Sequence, residues 1–371
     1  MATAWLMIRS LPLSGDEPIT PGLIGIPSNT LQTARWLCLT AGIIANVARY
    51  SGGIPLLSDR VDVVRQYARE NSNIVTGFLS EGWTVGMMLT LAPILVGRRR
   101  PKLAEMAWLL VFLIGAFAGA SRNTLLTAVV PGVLVALHFR GLRQTDQQRA
   151  QSQTPGRALN RYGIAAAVGV AVLALMWFQS RRILNGVGVF ERTFQRQYGD
   201  QPITATLASL DLSFSGSYET LSRLLAAGIG GSDTQFTVLQ GLGAVPRWLG
   251  YQPDLYETTS ALSAPYYMNT ATYLAAPLVD FGVTGALVAS FLLGLFFGAV
   301  DRRLSGDASM AGQMIRYYVI YLAVFSVYEF VPFIQPSWIP VVVSLLIIRR
   351  ASLSEHSGTA PLRKARASSL G

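Results

Sequence analysis

Arginine is the residue type in this chain whose placement points most directly to chemistry. Its guanidinium group is a planar fork of donors that matches phosphate and carboxylate oxygens. The alternative is a general preference for arginine, because the whole chain contains only two lysines, Lys102 and Lys364. Eleven arginines fall in segments that the distribution of charge assigns to the outer face of a membrane: Arg49, Arg60, Arg65, Arg69, Arg122, Arg181, Arg182, Arg192, Arg196, Arg223 and Arg247.

Arg122 has the most informative position among them. It interrupts the apolar run GAFAGASRNTLLTAVV, residues 115–130, and we expect two helices to turn there. A charge kept beside hydrophobic helices favours a functional role, in this case contact with an anionic lipid-linked substrate. The alternative is that Arg122 only extends to the head groups of ordinary lipids.

A second group of candidates lies in residues 49–71, RYSGGIPLLSDRVDVVRQYAREN. Two glycines and a proline predict a turn, and Ser58 then predicts the N-cap of a short outer helix. Arg65 and Arg69 are four residues apart, so on this helix they would form a two-arginine clamp for an anion. Pairing with Asp62 on a solvated face is an equal alternative.

Acidic and aromatic side chains supply the other candidates. Glu219 and Arg223 are four residues apart on a predicted helix, a spacing that structural pairing alone explains. Glu81 and Glu329 lie within apolar helices, so we expect each to face the bundle interior and to pair with an arginine. The aromatic residues of 247–274 are typical of a membrane interface and equally suited to stacking on sugar rings.

The elements that must position these residues follow from the composition. Of the 371 residues, 51% are hydrophobic and 13% charged, with a mean hydropathy of +0.39, whereas about 25% of the residues of soluble domains are charged. We therefore predict an all-α polytopic integral membrane protein. Apolar runs predict eight transmembrane helices, at about 35–50, 74–96, 104–121, 123–139, 162–179, 271–299, 314–331 and 337–348.

The segment 271–299 is long for one regular span. Pro277 and Asp280 stand near its start, so we predict a distorted or re-entrant lead-in over 271–281 and the span proper over 282–299. The first and last apolar runs are short, as expected of tilted or partial spans.

The distribution of basic residues predicts the orientation. With both termini in the cytoplasm, the dense basic clusters face the cytoplasm, as the positive-inside rule requires. Topology therefore explains most of the formal charge of +10, and a nucleic-acid partner is disfavoured. The predicted organisation is a cytoplasmic segment (1–34), a transmembrane domain (35–348) and a basic disordered tail (349–371), with outer loops at 51–73 and 180–270 and a cytoplasmic linker at 140–161.

The cysteine and histidine contents exclude two kinds of site. One cysteine, Cys38, excludes an internal disulfide framework. His138 and His356 are the only histidines and are far apart, which excludes a His/Cys metal cluster. The chain has no Asp-x-Asp pair for a divalent cation, so we expect no metal and no other cofactor.

Residues 269–298, NTATYLAAPLVDFGVTGALVASFLLGLFFG, resemble the oligosaccharide repeat-unit polymerases, the Wzy-type O-antigen polymerase family. The similarity consists of a Thr-rich entry, an aromatic residue, the triplet Asp-Phe-Gly, a second glycine three residues on and a glycine-spaced helix. The GGIPLLS turn, the SRNTLL hairpin and the large outer loop are similar to the family in the same order. Members of the family usually have more spans than the eight predicted here, and residues 1–34 of this chain offer none.

The resemblance implies an enzyme of the bacterial inner membrane that acts at its outer face, towards the periplasm or the cell exterior. It would transfer a growing glycan from an undecaprenyl-pyrophosphate carrier to another carrier-linked repeat unit, making O-antigen, capsule or exopolysaccharide. Arg122 and Arg65, with Arg69 beside it, would contact the pyrophosphates, and Arg223 would be a weaker further contact. A chain-length regulator and a flippase are the implied protein partners.

The same resemblance assigns roles around the Asp-Phe-Gly triplet. Asp280 would act as the general base for the acceptor hydroxyl. Capping of its helix or pairing with an arginine explains Asp280 equally well. Asn269 and Tyr273, at the entry of the motif, would contact the substrate.

Three other functions stay open. An O-antigen ligase resembles the polymerases in shape but uses a histidine in the large outer loop, and residues 180–270 contain none. A transporter or flippase for lipid-linked sugars would carry charges through several mid-membrane helices, whereas here they concentrate near the outer face, with Glu81 the main exception. A non-catalytic membrane scaffold would not require eleven outer arginines.

Overall fold

The structure is a computed structural model, and it describes part of the chain. The described residues are 29–54, 58, 63–64, 67–68, 73–95, 102–118, 122–148, 180, 183, 189–199, 201–228, 236–242, 255, 259, 262, 272–307, 309–326 and 337–352. Several predictions concern residues outside this set and stay predictions: the helix at 162–179, Arg65, Arg69, Asn269, Glu329 and the disordered tail after residue 352. The first residues of the predicted tail, 349–352, are helical instead, because the last helix continues past its apolar run.

Every described element is helical, and no strand occurs among these residues. The elements are α1 (Asn29–Arg49), α2 (Ile74–Leu95), α3 (Leu103–Ala118), α4 (Arg122–Gln148), α5 (Val189–Tyr198), α6 (Pro202–Ala226), a 3-10 helix (Thr237–Leu242), α7 (Ala275–Ser305), α8 (Met310–Phe325) and α9 (338–352). The all-helical prediction is therefore confirmed for the part of the chain that the structure describes.

The predicted helices at 74–96, 104–121 and 337–348 agree closely with the observed bounds, whereas α1 begins earlier than predicted, α7 ends later and α8 ends earlier. The main difference is α4, which continues to Gln148 and so includes the first part of the predicted linker at 140–161. That stretch contains no proline and several good helix formers, so the helix continues after its apolar run ends. The end of an apolar run therefore shows where the apolar part of a helix ends, and the helix itself can continue beyond it.

α2 is the central helix of the bundle and packs against α1, α3 and α4, while α8 packs against α4 and α7. α1 and α2 run antiparallel. Asn46 near the end of α1 donates to the carbonyl oxygen of Ser80 near the start of α2 (3.2 Å). The side chains of the main core come from α2, α4, α7, α8 and α9 and include Val85, Met88, Leu89, Val135, Phe139, Phe297, Met314, Tyr318, Leu322, Val341 and Leu345.

The bundle has two ends of different character. We call the end where α1 finishes and α2, α4 and α7 begin the upper end, and the opposite end the lower end. At the lower end Arg316 of α8 donates to Asp301 of α7 (2.6 Å) and Arg349 of α9 donates to Asp307 (2.5 Å). Ser309 caps α8 by accepting from the backbone N–H of Gly312 (3.0 Å). The lower end is thus held together by ion pairs between helices.

Two of the described helices, α2 and α7, are long and apolar enough to cross a bilayer. Shorter apolar segments occur at Leu103–Gly115 and Leu126–Phe139. One side of α7 exposes large apolar side chains, as expected of a surface in contact with lipid: Val283, Leu287, Val288, Phe291, Leu292 and Phe296. These features suggest membrane association.

Candidate functional site

The Asp-Phe-Gly triplet lies where α7 changes direction. Gly282 has φ 68° and ψ −166° inside the helix, a conformation that interrupts it. This backbone region is open essentially only to glycine. The break coincides with the predicted boundary between a lead-in ending at 281 and a span starting at 282. A Cβ on Gly285 would lie 2.1 Å from the Cβ of Phe281, so the second glycine of the motif leaves room for this bend.

Asp280 is completely buried one turn into α7, where its carboxylate holds a distant segment in place. Oδ1 accepts hydrogen bonds from the backbone N–H and the hydroxyl of Thr237 (2.9 and 3.1 Å). Oδ2 accepts from the backbone N–H of Val238 (2.9 Å). These N–H groups open the 3-10 helix, where a carboxylate is favourable because helix starts expose unpaired donors. The hydrogen bonds of Asp280 therefore attach the start of the 3-10 helix to α7.

Apolar contacts next to Asp280 join further loop residues to the start of α7, and we refer to α6, the 3-10 helix and Leu255 together as the loop unit. Leu224 of α6 and Leu255 are buried with Ala275, Leu278 and Val279 at the start of α7. The large loop therefore packs on the lead-in of α7, at the upper end of the bundle. Tyr273, just before α7, is half-buried against the bundle core, and its backbone N–H donates to the carbonyl oxygen of Ser326 (2.9 Å). This bond joins the entry of α7 to the end of α8.

Arg223 is part of this loop unit. Its Nη2 donates to Glu219, which confirms the pairing predicted from their spacing. Its Nη1 donates to the carbonyl oxygen of Leu262 (2.8 Å). The side chain is 40% exposed, so it combines a structural role within the loop with access from outside. Arg223 thus bonds to Glu219 and Leu262, whereas Asp280 bonds to the start of the 3-10 helix.

A second polar group, absent from the predicted site, is present at the upper end of α1 and α2. Arg49 donates from Nη1 to the hydroxyl of Ser80 (3.0 Å), and no described residue accepts from its buried Nε. The half-buried Glu81 carboxylate accepts from Thr84 (3.2 Å) and interacts electrostatically with Arg49. The prediction that Glu81 faces the bundle interior is thus confirmed, whereas the described residues form no ion pair between Glu81 and an arginine, and Arg49 acts on it only at longer range.

Hydroxyl groups from α4 and α8 continue this polar group. Glu81 interacts electrostatically with Tyr318 of α8. One turn further along α8, the Tyr321 hydroxyl and the Thr127 hydroxyl of α4 are 3.3 Å apart. We refer to Arg49, Ser80, Glu81, Thr84, Thr127, Tyr318 and Tyr321 as the upper polar cluster. It combines a cation, a carboxylate and several hydroxyls at the upper end of the bundle.

Arg122 begins α4, and α3 ends at Ala118, so two helices do meet around the predicted turn. Thr127 lies five residues after Arg122, or about 7.5 Å along a helix. The backbone of Arg122 is therefore at the upper end, more than one turn above Thr127 and about 140° around the helix from it. Its side chain lies outside the described part of the chain.

Sequence patterns could have indicated two members of the upper polar cluster. Arg49 ends a predicted span at the outer side, and Thr84 follows Glu81 by one helical turn. The tyrosines of α8 give no such signal, because aromatic residues in an apolar helix are usually core residues. Among the described residues, no group of three or more His, Cys, Asp or Glu side chains could hold a metal ion.

The comparisons with known proteins add no relative: no protein-family model, no curated protein and no solved structure matches this chain.

Proposed function

We propose that this chain is a membrane glycosyltransferase that polymerises undecaprenyl-pyrophosphate-linked oligosaccharide repeat units at the outer face of the bacterial inner membrane. The proposal includes eight spans, cytoplasmic termini and an upper end that faces the periplasm or the cell exterior. It rests on the resemblance of residues 269–298 and on the arrangement at the upper end. The observation that carries it is the buried neighbourhood of Arg49 and Glu81, at the same end of the bundle as the anchored loop.

In this reaction an acceptor hydroxyl oxygen forms a bond to the anomeric carbon of the donor glycan. The bond between that carbon and the pyrophosphate oxygen breaks, and undecaprenyl pyrophosphate leaves with the electron pair. Arginines stabilise the charge that develops on the leaving group, because guanidinium binds phosphate oxygens through paired N–H groups. Arg122 and Arg65 are the proposed pyrophosphate ligands, and Arg49, with its unpaired buried Nε, joins them.

A carboxylate must take the proton of the acceptor hydroxyl. Both oxygens of Asp280 already accept hydrogen bonds from the 3-10 helix, so we assign it a positioning role. Glu81 has one hydrogen bond among the described residues, from Thr84 to Oε2. Oε1 receives none from them, and Glu81 lies beside a cation. We therefore assign the base role to Glu81.

The test is polymerisation by purified full-length protein in lipid nanodiscs with a lipid-linked repeat unit as the sole substrate. We expect a ladder of products on a gel for the wild type and loss of the ladder in Glu81→Gln. Glu219→Gln is the matched control, because Glu219 is an exposed glutamate of the outer loop, and it should keep the ladder. Absence of a ladder from the wild type, under conditions where an established polymerase makes one, would reject the polymerase function.

Two further arms of the assay separate the alternatives. Transfer of a single glycan to an added lipid A core acceptor, without a ladder, would indicate a ligase. Movement of a fluorescent lipid-linked sugar across vesicles without any new glycosidic bond would indicate a flippase. A normal ladder from Glu81→Gln would keep the polymerase function and reject Glu81 as the base.

A further inference from the structure

A cavity of about 200 Å³ lies at the lower end of the bundle, opposite the upper polar cluster. Its lining comes from both sides of the α1–α2 contact, from the residue before α3 and from the start of α8: Leu31, Gln32, Arg35, Leu89, Pro93, Lys102 and Met310. The proposed polymerase reaction uses none of these residues.

Arg35 is the buried cation of this cavity, with only 4% of its surface exposed. Its Nη1 donates to Oε1 of Glu105 (2.5 Å), and its guanidinium lies 4.5 Å from the ring centroid of Trp36. The Nε–H is buried, and no described residue accepts a hydrogen bond from it. A buried donor in this state is costly unless something in the cavity accepts from it. Arg35 therefore points to an anionic or strongly polar ligand.

Lys102 supplies a second positive charge at the same cavity. It is exposed, and its backbone bonds to the start of α3: its N–H donates to Oε2 of Glu105 (2.9 Å), and its carbonyl oxygen accepts from the backbone N–H groups of Glu105 and Met106. No carboxylate among the described residues forms an ion pair with its ammonium group. Glu105 balances one of the two cations and leaves the other available. Counted over the described residues, the cavity therefore carries a net positive charge.

The remaining walls are apolar and belong to helices of the bundle. Leu31, Leu89 and Pro93 offer hydrocarbon surface, which suits an amphiphile better than a free ion. Pro93 also lacks the N–H that would bond to the carbonyl oxygen of Leu89 in a regular helix. That carbonyl oxygen is suited to accept from a hydroxyl group of a ligand.

We propose that this cavity binds the head group of an anionic phospholipid. The phosphate accepts from the Nε–H of Arg35 and from the ammonium of Lys102, and the apolar walls contact the glycerol and the first part of the acyl chains. Basic recesses between membrane helices are typical sites for anionic head groups. A head group that carries hydroxyls, such as phosphoglycerol, also provides donors for the Leu89 carbonyl.

The test is native mass spectrometry of the full-length protein released from nanodiscs that contain equal amounts of phosphatidylglycerol and phosphatidylcholine with the same acyl chains. We expect the wild type to retain phosphatidylglycerol selectively. Lys102→Gln should retain it about fivefold less, as expected for one cationic side chain at an anionic lipid. Lys364→Gln removes the only other lysine of the chain and should behave like the wild type.

A double variant, Arg35→Gln with Glu105→Gln, tests the buried cation without leaving an unpaired charge, and it should also lose the selectivity. Equal retention of both lipids by the wild type, or unchanged retention in Lys102→Gln, would overturn the proposal. Complete displacement of phosphatidylglycerol by excess inorganic phosphate would assign the site to a free anion instead. None of these readouts depends on polymerisation, so failure here and failure of the proposed function are distinguishable.

Discussion

Asp280 accepts a hydrogen bond from the backbone N–H of Val238 at 2.9 Å, across 42 residues of sequence. The other carboxylate oxygen accepts from Thr237. The aspartate of the Asp-Phe-Gly triplet thus fixes the start of the 3-10 helix to α7, and the glycine of the triplet allows α7 to break two residues later. The Asp-Phe-Gly triplet therefore has a structural role: it attaches the 3-10 helix to α7 and permits the break in α7.

Replacement of Asp280 by asparagine should weaken the attachment of the 3-10 helix to α7. One acceptor oxygen becomes an NH₂ group that faces a backbone N–H, so we expect a loss of about 1–3 kcal/mol in the free energy of unfolding. Faster proteolysis between α6 and α7 should accompany it. Asp211→Asn, at an exposed position of α6, is the control. Unchanged stability and proteolysis, combined with complete loss of polymer, would return the base role to Asp280.

Replacement of Gly282 by alanine should strain the break in α7. A φ of 68° with a ψ of −166° is essentially closed to residues with a Cβ, so we expect a cost of about 1–3 kcal/mol in thermal unfolding. Gly306→Ala is the matched control on the same helix, because φ is −86° there and a Cβ would meet nothing within 4 Å. Equal stability of the two variants would contradict the observed conformation of Gly282.

Replacement of Glu105 by glutamine should destabilise the lower end strongly. Arg35 would remain buried without its counter-charge, and breaking a buried pair in this way costs about 3–5 kcal/mol. Glu219→Gln breaks the exposed pair with Arg223 and should cost only about 0.2–0.5 kcal/mol. Thermal unfolding of both variants in the same detergent gives the comparison, and similar losses would show that the burial of the Arg35–Glu105 pair has no energetic consequence.

Replacement of Arg122 by lysine separates charge from geometry. Lysine keeps the positive charge but cannot form two parallel hydrogen bonds to a phosphate, so we expect the polymer ladder to be lost or strongly shortened. Arg192→Lys, at an exposed position of α5, should leave the ladder unchanged. Full polymerisation by Arg122→Ala would remove Arg122 from the mechanism.

Local patterns allowed several features to be predicted. Pro277 and Asp280 near the start of a long apolar run predicted the interruption that Gly282 provides. The four-residue spacing of Glu219 and Arg223 predicted their ion pair. Both predictions succeed because the groups involved are neighbours along one helix, so that spacing alone fixes their distance.

Contacts between distant segments could not be predicted in the same way. Glu81 was expected to face the bundle interior near an arginine, but only the packing of α1 on α2 identifies Arg49. The partners of Asp280 lie 42 and 43 residues earlier in the chain. No spacing rule links an aspartate to backbone N–H groups at that separation, so Asp280 looked more like a catalytic group than its contacts suggest.

The break at Gly282 also decides where this protein can be divided. Residues 275–281 are helical and belong to α7, yet they precede its break, and their buried side chains pack with Leu224 and Leu255 of the loop unit. A chimera that exchanges the loop between two related proteins should therefore join them at residue 282, inside the helix. A junction at residue 274, where the helix starts, would separate the loop from the surface that supports it.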